Sequence, residues 1–137
     1  MKTKTTLLVV VAIMILTGFQ QKVTSSDTSE IKKGMTKVTI MYPNEERKTF
    51  DMDYYASKHM PLLSSLFGED LKAIHIDKGI SGRTSDDPAL YVAIGYLYFD
   101  TLEDYQNGIG SHIDKIRSDI PNYTDIQPEI LISEVIQ

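Results

Sequence analysis

The chain has 137 residues and no cysteine. That excludes disulfides, thiolate nucleophiles, zinc–thiolate sites and iron–sulfur clusters. It says nothing about compartment, because a cysteine-free protein tolerates oxidising and reducing surroundings alike. Basic clusters are missing beyond the N-terminus and the net charge is −5, which is a poor basis for nucleic-acid binding. Nucleotide-binding signatures are missing too. Gly108 and Gly110 follow a helical pattern rather than a strand and lack a third glycine, so they do not form a dinucleotide fingerprint. The sequence holds no P-loop, no pair of histidines at zinc-site spacing and no G-x-S-x-G elbow. Neither a metal nor a tightly bound cofactor is expected.

What is present begins with a targeting segment. Lys2 and Lys4 precede an unbroken apolar run from Leu7 to Leu16. The run is short for a transmembrane helix and fits the core of a signal peptide. Phe19 stands where lipoprotein processing would need a cysteine, whereas Val23, Thr24 and Ser25 offer an ordinary cleavage pattern. Residues 1–25 are therefore read as a signal peptide, or as an N-terminal anchor if uncleaved. The protein is expected to be exported, periplasmic or secreted, and to touch a membrane only through an uncleaved segment. Residues 26–35 form a polar linker, and 36–137 the folded domain.

Periodicity sets out that domain. Thr36 to Tyr42 alternates as a strand. A helix follows, with Asp51 as N-cap and Phe50 placed to staple onto Tyr55. Its apolar stripe runs Met52, Tyr55, His59, Leu62, Leu63 and Leu66, and Gly68 stops it. Pro61 sits inside and removes a bond to the Ser57 carbonyl, which predicts a kink or a restart. Leu71 to Gly79 reads as a second strand, and Gly79 to Pro88 as a turn-rich connection. Leu90 to Phe99 is the strongest strand. Asp100 or Thr101 caps a second helix that Gly108 and Gly110 interrupt, with Ser111 and Asp114 restarting it as a capping box. Ile126 to Ile136 is the last strand, and Pro128 favours an edge position for it. The order is β-α-β-β-α-β. This predicts an α+β, ferredoxin-like fold: a four-stranded antiparallel sheet with both helices on one face.

Two helices cover only one face of such a sheet. The strand from Leu90 to Phe99 is nonetheless apolar or aromatic on both sides. Val92, Ile94, Tyr96 and Tyr98 point one way; Tyr91, Ala93, Leu97 and Phe99 point the other. A strand of that kind is normally buried on both sides, and an open apolar face marks an interaction site. A homodimer packed sheet to sheet through the open face is expected. The alternative is that Tyr96 and Tyr98 sit half exposed with their hydroxyls in water.

Few side chains can carry chemistry. His59 lies on the apolar stripe of the first helix, where partial burial would keep its imidazole neutral and able to act as a base. The alternative is a core histidine satisfied by one hydrogen bond. His112 is expected at a helix N-terminus, which disfavours the imidazolium and leaves a neutral donor or acceptor. His75 is structural or exposed. The segment from Asp119 to Asp125 (DIPNYTD) is dense in polar groups. Its Asn122, Tyr123 and Asp125 are placed to line a pocket, or to serve as turn and capping residues. Tyr42, Tyr54, Tyr55 and Tyr96 add phenol hydroxyls, although a tyrosine stripe is ordinarily core.

Three stretches together resemble the EthD-like family. They are DMDYY from Asp51 to Tyr55 running into HMPL from His59; YVAIG from Tyr91 with LYFD ending at Asp100; and DIPNYTDIQP from Asp119 to Pro128. The likeness covers about Met35 to Gln137. It implies a dimeric α/β barrel, with a pocket between helices and sheet in each subunit and His59 as a pocket residue. The family was named for ether degradation, and its members are often labelled reductases. Its relatives include cofactor-free lactone isomerases, polyketide cyclases and oxygenases with or without haem. The leading expectation is a small cofactor-independent enzyme, of oxidoreductase or isomerase type, acting on a small hydrophobic or aromatic molecule. In it His59 relays a proton, Tyr55, Asn122 and Tyr123 orient substrate oxygens, and His112 is a secondary donor. The competing expectations are a non-catalytic small-molecule-binding module and a structural dimer with a filled core.

Overall fold

A computed structural model describes residues 30–137; the expected targeting segment, residues 1–25, lies outside them. The first strand, β1, is Thr36–Pro43. The first helix, α1, is built in three pieces: an α-helical turn, Met52–Tyr54, a π-helical stretch, Tyr55–His59, and an α-helical segment, Met60–Phe67. Strand β2 is Leu71–Lys78 and β3 is Tyr91–Phe99. Helix α2 is Leu102–Asp119, and a short 3-10 turn, Ile120–Asn122, follows it. Strand β4 is Glu129–Glu134.

Local chemistry accounts for α1. The Asp51 side chain accepts a hydrogen bond from the Tyr54 amide at 2.9 Å, capping the first turn. The Phe50 and Tyr55 rings meet edge to face at 5.1 Å, which completes the expected staple. Pro61 does not break the helix. The π stretch just before it absorbs the misfit, with the Met60 amide bonded to the Tyr55 carbonyl five residues back. The wider turn also shifts the phase of the buried face. Tyr55 and His59 are buried within the π stretch, and Met60, Leu63 and Phe67 in the α-helical segment that follows it. Gly68, at φ +57°, ends the helix.

The expected interruption of the second helix is corrected: α2 runs unbroken through Gly108 and Gly110. Its cap is Thr101, paired with Asp104 in a capping box, not Ser111 with Asp114. Gly108 serves close packing, because a Cβ there would overlap the Phe67 ring of α1. Gly110 has open space around it. The last strand is shorter than its apolar pattern. Ile126 instead enters the core, its amide bonded to the Thr124 hydroxyl at 3.0 Å.

The sheet order is β2-β3-β1-β4, and every neighbouring pair is antiparallel. With the two helices this is the ferredoxin-like α+β fold, and β4, preceded by Pro128, is an edge strand as expected. Val38 and Tyr42 of β1 and Ala93, Leu97 and Phe99 of β3 join Leu63, Phe67 and Ile116 in one core. Lys37, Thr39 and Met41 carry the other face, opposite Tyr98, Tyr96 and Ile94. Two expected sides are corrected, at Tyr91 and at Val92, which packs against the core rather than lying with Ile94 and Tyr96. The register shifts between Tyr42 and Pro43, and the Tyr91 hydroxyl donates to Glu129, the residue opposite Met41.

The two glycines of α2 should respond oppositely. Gly110→Ala should stabilise the protein by about 1 kcal/mol through helix propensity alone. Gly108→Val should destabilise it by about 1–3 kcal/mol through overpacking against Phe67. Urea denaturation of the two variants beside the parent checks both signs.

Candidate functional site

His59 closes the π stretch and is 3% exposed. Its ring lies nearly parallel to that of Tyr55, four residues back, at 5.7 Å, and tilts against Tyr123 at 4.6 Å. Its Nδ1 meets Asp119 Oδ2 at 2.8 Å. Asp119 ends α2, where the helix dipole disfavours a negative charge. Donors compensate for this. The other carboxylate oxygen accepts from the Tyr54 hydroxyl at 2.8 Å and from the Asn122 side-chain amide at 2.9 Å.

These contacts fix the charge state. Burial lowers the pKa of the imidazole and outweighs the pull of the Asp119 carboxylate in the other direction. For Asp119, burial pushes the pKa up, but the hydrogen bonds from His59, Asn122 and Tyr54 prevail and hold it below its ordinary value. Near neutral pH the pair is thus a neutral imidazole beside an ionised carboxylate. A carboxylate only accepts, so Nδ1 carries the proton and Nε2 the lone pair. Among the described residues Nε2 has no hydrogen-bond partner.

His59 forms part of the wall of a cavity of about 610 Å³ between α2 and the β1–β4 side of the sheet. That volume falls within the usual range for small-molecule sites, roughly 300–1,000 Å³. Most of the lining is aliphatic: Val38 and Ile40 from β1, Leu63 from α1, and Ile109, Ile113 and Ile116 from α2. The polar groups are His59, Tyr42, Tyr105, Arg117 and Gln127. Ile130 of β4 adds to the wall while remaining 52% exposed, so the cavity is open along the edge strand.

Behind His59 lie three buried phenols. Tyr42 and Tyr123 share a hydrogen bond at 2.7 Å. Burial pushes the Tyr42 pKa up to about 12 and raises that of Tyr123 as well. The Tyr55 hydroxyl has no hydrogen-bond partner among the described residues. It occupies the space above Gly95, where a Cβ would overlap it. Gly95 interrupts the apolar run of β3 for this reason.

The structure brings together four of the five residues singled out in the sequence: His59, Tyr55, Asn122 and Tyr123. Their placement differs from the expectation that the last three face a substrate. Tyr55 and Tyr123 are buried behind the imidazole, and the Asn122 amide is turned onto Asp119. None of the three lines this cavity, but Asn122 and Tyr123, with Asp125, line a separate open pocket beside Thr49, Phe50 and Asp51, as expected of that segment. His112 is corrected outright. It lies inside the continuous α2, not at a helix N-terminus, and is not part of the cavity wall. His75 is exposed on β2 against Tyr98. Asp125 accepts from the Thr49 amide at 2.8 Å, a turn-fixing role. Sequence reasoning missed Asp119 as the partner of His59. An acid in the last turn of a helix, against the dipole, was the available signal. Among the described residues no cluster of three His or acidic groups is placed to hold a metal ion, and no helix is long and apolar enough to cross a membrane.

The pH response follows from the two shifts. The His59 pKa is depressed by folding, so its share of stability is present above the unfolded value, about 6.5, and is lost as pH falls through the folded value. The Asp119 contribution has the same sign at lower pH, being lost as the carboxylate protonates. NMR titration should place the His59 pKa below about 6.5. Asp119→Asn should lower it further, because the carboxylate was raising it.

A model of the EthD domain matches residues 43–127. The crystal structure of an EthD-like protein from Ralstonia eutropha JMP134 is similar, with a TM-score of 0.74 and 37% identity, over 77% of this chain and 96% of that one. An ethyl tert-butyl ether D (EthD) family protein from Bacillus halodurans C-125 aligns with a TM-score of 0.54 and 16% identity, over 74% and 99% of the two chains. At that identity the second likeness shows the fold alone. No curated protein matches the chain. The family model spans more than half of the sequence and the Ralstonia protein shares its fold at substantial identity, so the chain belongs to the EthD family.

Proposed function

We propose that the domain is a small enzyme that moves a proton on a hydrophobic or aromatic small molecule, with His59 as the base. One observation carries this reading: Nδ1 of His59 is held by Asp119, Nε2 has no hydrogen-bond partner among the described residues, and the residue lines an apolar cavity. A histidine held this way has a fixed tautomer and a more basic free nitrogen. Nε2 would take a proton from a C–H beside a substrate carbonyl, and the electron pair would pass to the carbonyl oxygen as an enolate. Return of the proton to another carbon completes an isomerisation with no change in oxidation state. The cavity counts against a purely structural dimer with a filled core.

The competing reading, a binding module without catalysis, uses the same cavity and is separated by one experiment. The purified protein is incubated in D₂O with a panel of aryl ketones and lactones, and exchange of the C–H protons is followed by NMR. The enzyme reading expects accelerated exchange on at least one compound, falling by about 10²–10⁴-fold in His59→Gln while binding persists. Compounds that bind and show no accelerated exchange would establish the binding module instead.

We further propose that a second copy covers the open sheet face. On that face Ile94, Tyr96, Met41 and Leu131 lie side by side in register, rimmed by Lys37, His75, Asp77 and Glu129. An apolar centre with a polar rim is how a subunit interface is organised. Light scattering should give the mass of a dimer. Leu131→Glu, at a side chain 53% exposed in the single subunit, should give a folded monomer.

A further inference from the structure

The cavity has a chemical polarity that the proton-transfer reading does not use. Its walls are aliphatic, yet one cation, Arg117, belongs to the lining. Arg117 stands in the last turn of α2, one residue after Ile116 and four after Ile113, so it flanks the helix face that forms the wall. It is itself exposed while Ile116 is buried. This is the pattern of a side chain whose stem lies along apolar surface and whose guanidinium stays at the mouth.

Among the described residues Arg117 forms no ion pair, even though acids outnumber bases by 19 to 14 in the chain. The acid nearest in sequence within this region, Asp119, has both oxygens engaged by His59, Tyr54 and Asn122. Gln127, on the segment leading into β4, adds a neutral amide to the same lining. A planar guanidinium with free N–H donors beside an apolar cavity is matched by a carboxylate joined to an apolar body.

We propose that the natural ligand of this cavity is a small aromatic or aliphatic carboxylic acid, its carboxylate held by Arg117 at the mouth and its apolar part inside toward His59. The proposal rests on the reading of this cavity as the ligand site, and it names the ligand's chemical class. It is independent of whether His59 then transfers a proton, because recognition by Arg117 would serve a binding protein equally.

The test compares two probes of nearly the same shape, 2-naphthoate and its uncharged amide 2-naphthamide. Binding to the full chain is followed by calorimetry, and the His59 ring resonances report entry into the cavity. Naphthoate should bind at least about 10-fold more tightly than the amide, the scale of one charge-assisted hydrogen-bonded contact. Arg117→Met, which keeps an apolar stem, should weaken naphthoate about 10-fold and leave the amide unchanged. Both probes shifting His59 with equal affinity, or Arg117→Met weakening both alike, would overturn the proposal while leaving the cavity as a ligand site. Failure of both probes to bind would overturn the proposal and count against that reading of the cavity as well.

Discussion

The bond from His59 to Asp119 ties the end of one helix to the middle of the other, and the site depends on it. A hydrogen bond to a charged partner is worth about 1.5–3 kcal/mol. An exposed pair such as Lys48 and Asp125, 3.8 Å apart, contributes about 0–1 kcal/mol. The buried bond therefore matters more than any surface pairing in the structure. It also determines chemistry, because it chooses which imidazole nitrogen carries the proton.

Several local features serve that bond. The Asp51 cap starts α1 so that Tyr54 faces Asp119 and Tyr55 faces the sheet. The π stretch before Pro61 places Tyr55 and His59 on one buried face. The 3-10 turn after α2 returns Asn122 to the carboxylate that ends the helix. A carboxylate in that position would ordinarily oppose the helix dipole. Here three donors surround it, so a placement that is unfavourable by itself becomes a fixed negative charge beside the imidazole.

The order of elements was legible in the sequence because each rests on a local signal. The alternation of β1, the apolar run of β3, the cap and staple at Asp51 and Phe50, and Pro128 ahead of an edge strand are all short-range patterns. The misreadings arose where a residue's role is set by a distant one. Gly108 resembles a helix breaker until Phe67 of the other helix is seen against it. The stripe predicted for α1 holds at Tyr55, His59 and Leu63, while Met60 and Phe67 are buried more deeply than the expected Leu62 and Leu66, because the π turn changes its period. His59 could be singled out from its place on an apolar face, and the DIPNYTD segment from its polar density. Their meeting through Asp119 spans 60 residues; the acid at the helix end marks Asp119 as unusual, but no local pattern names His59 as its partner. His112 was misplaced because its expected helix start does not exist.

The family sets the fold and leaves the chemistry to these side chains. A neutral His59 would present an unprotonated Nε2 to the cavity while Nδ1–H donates to Asp119. Nitrogen-15 NMR of the imidazole at neutral pH tests it most directly. The expected result is a protonated Nδ1 and a bare Nε2. A proton on Nε2, or a doubly protonated ring at neutral pH, would contradict it.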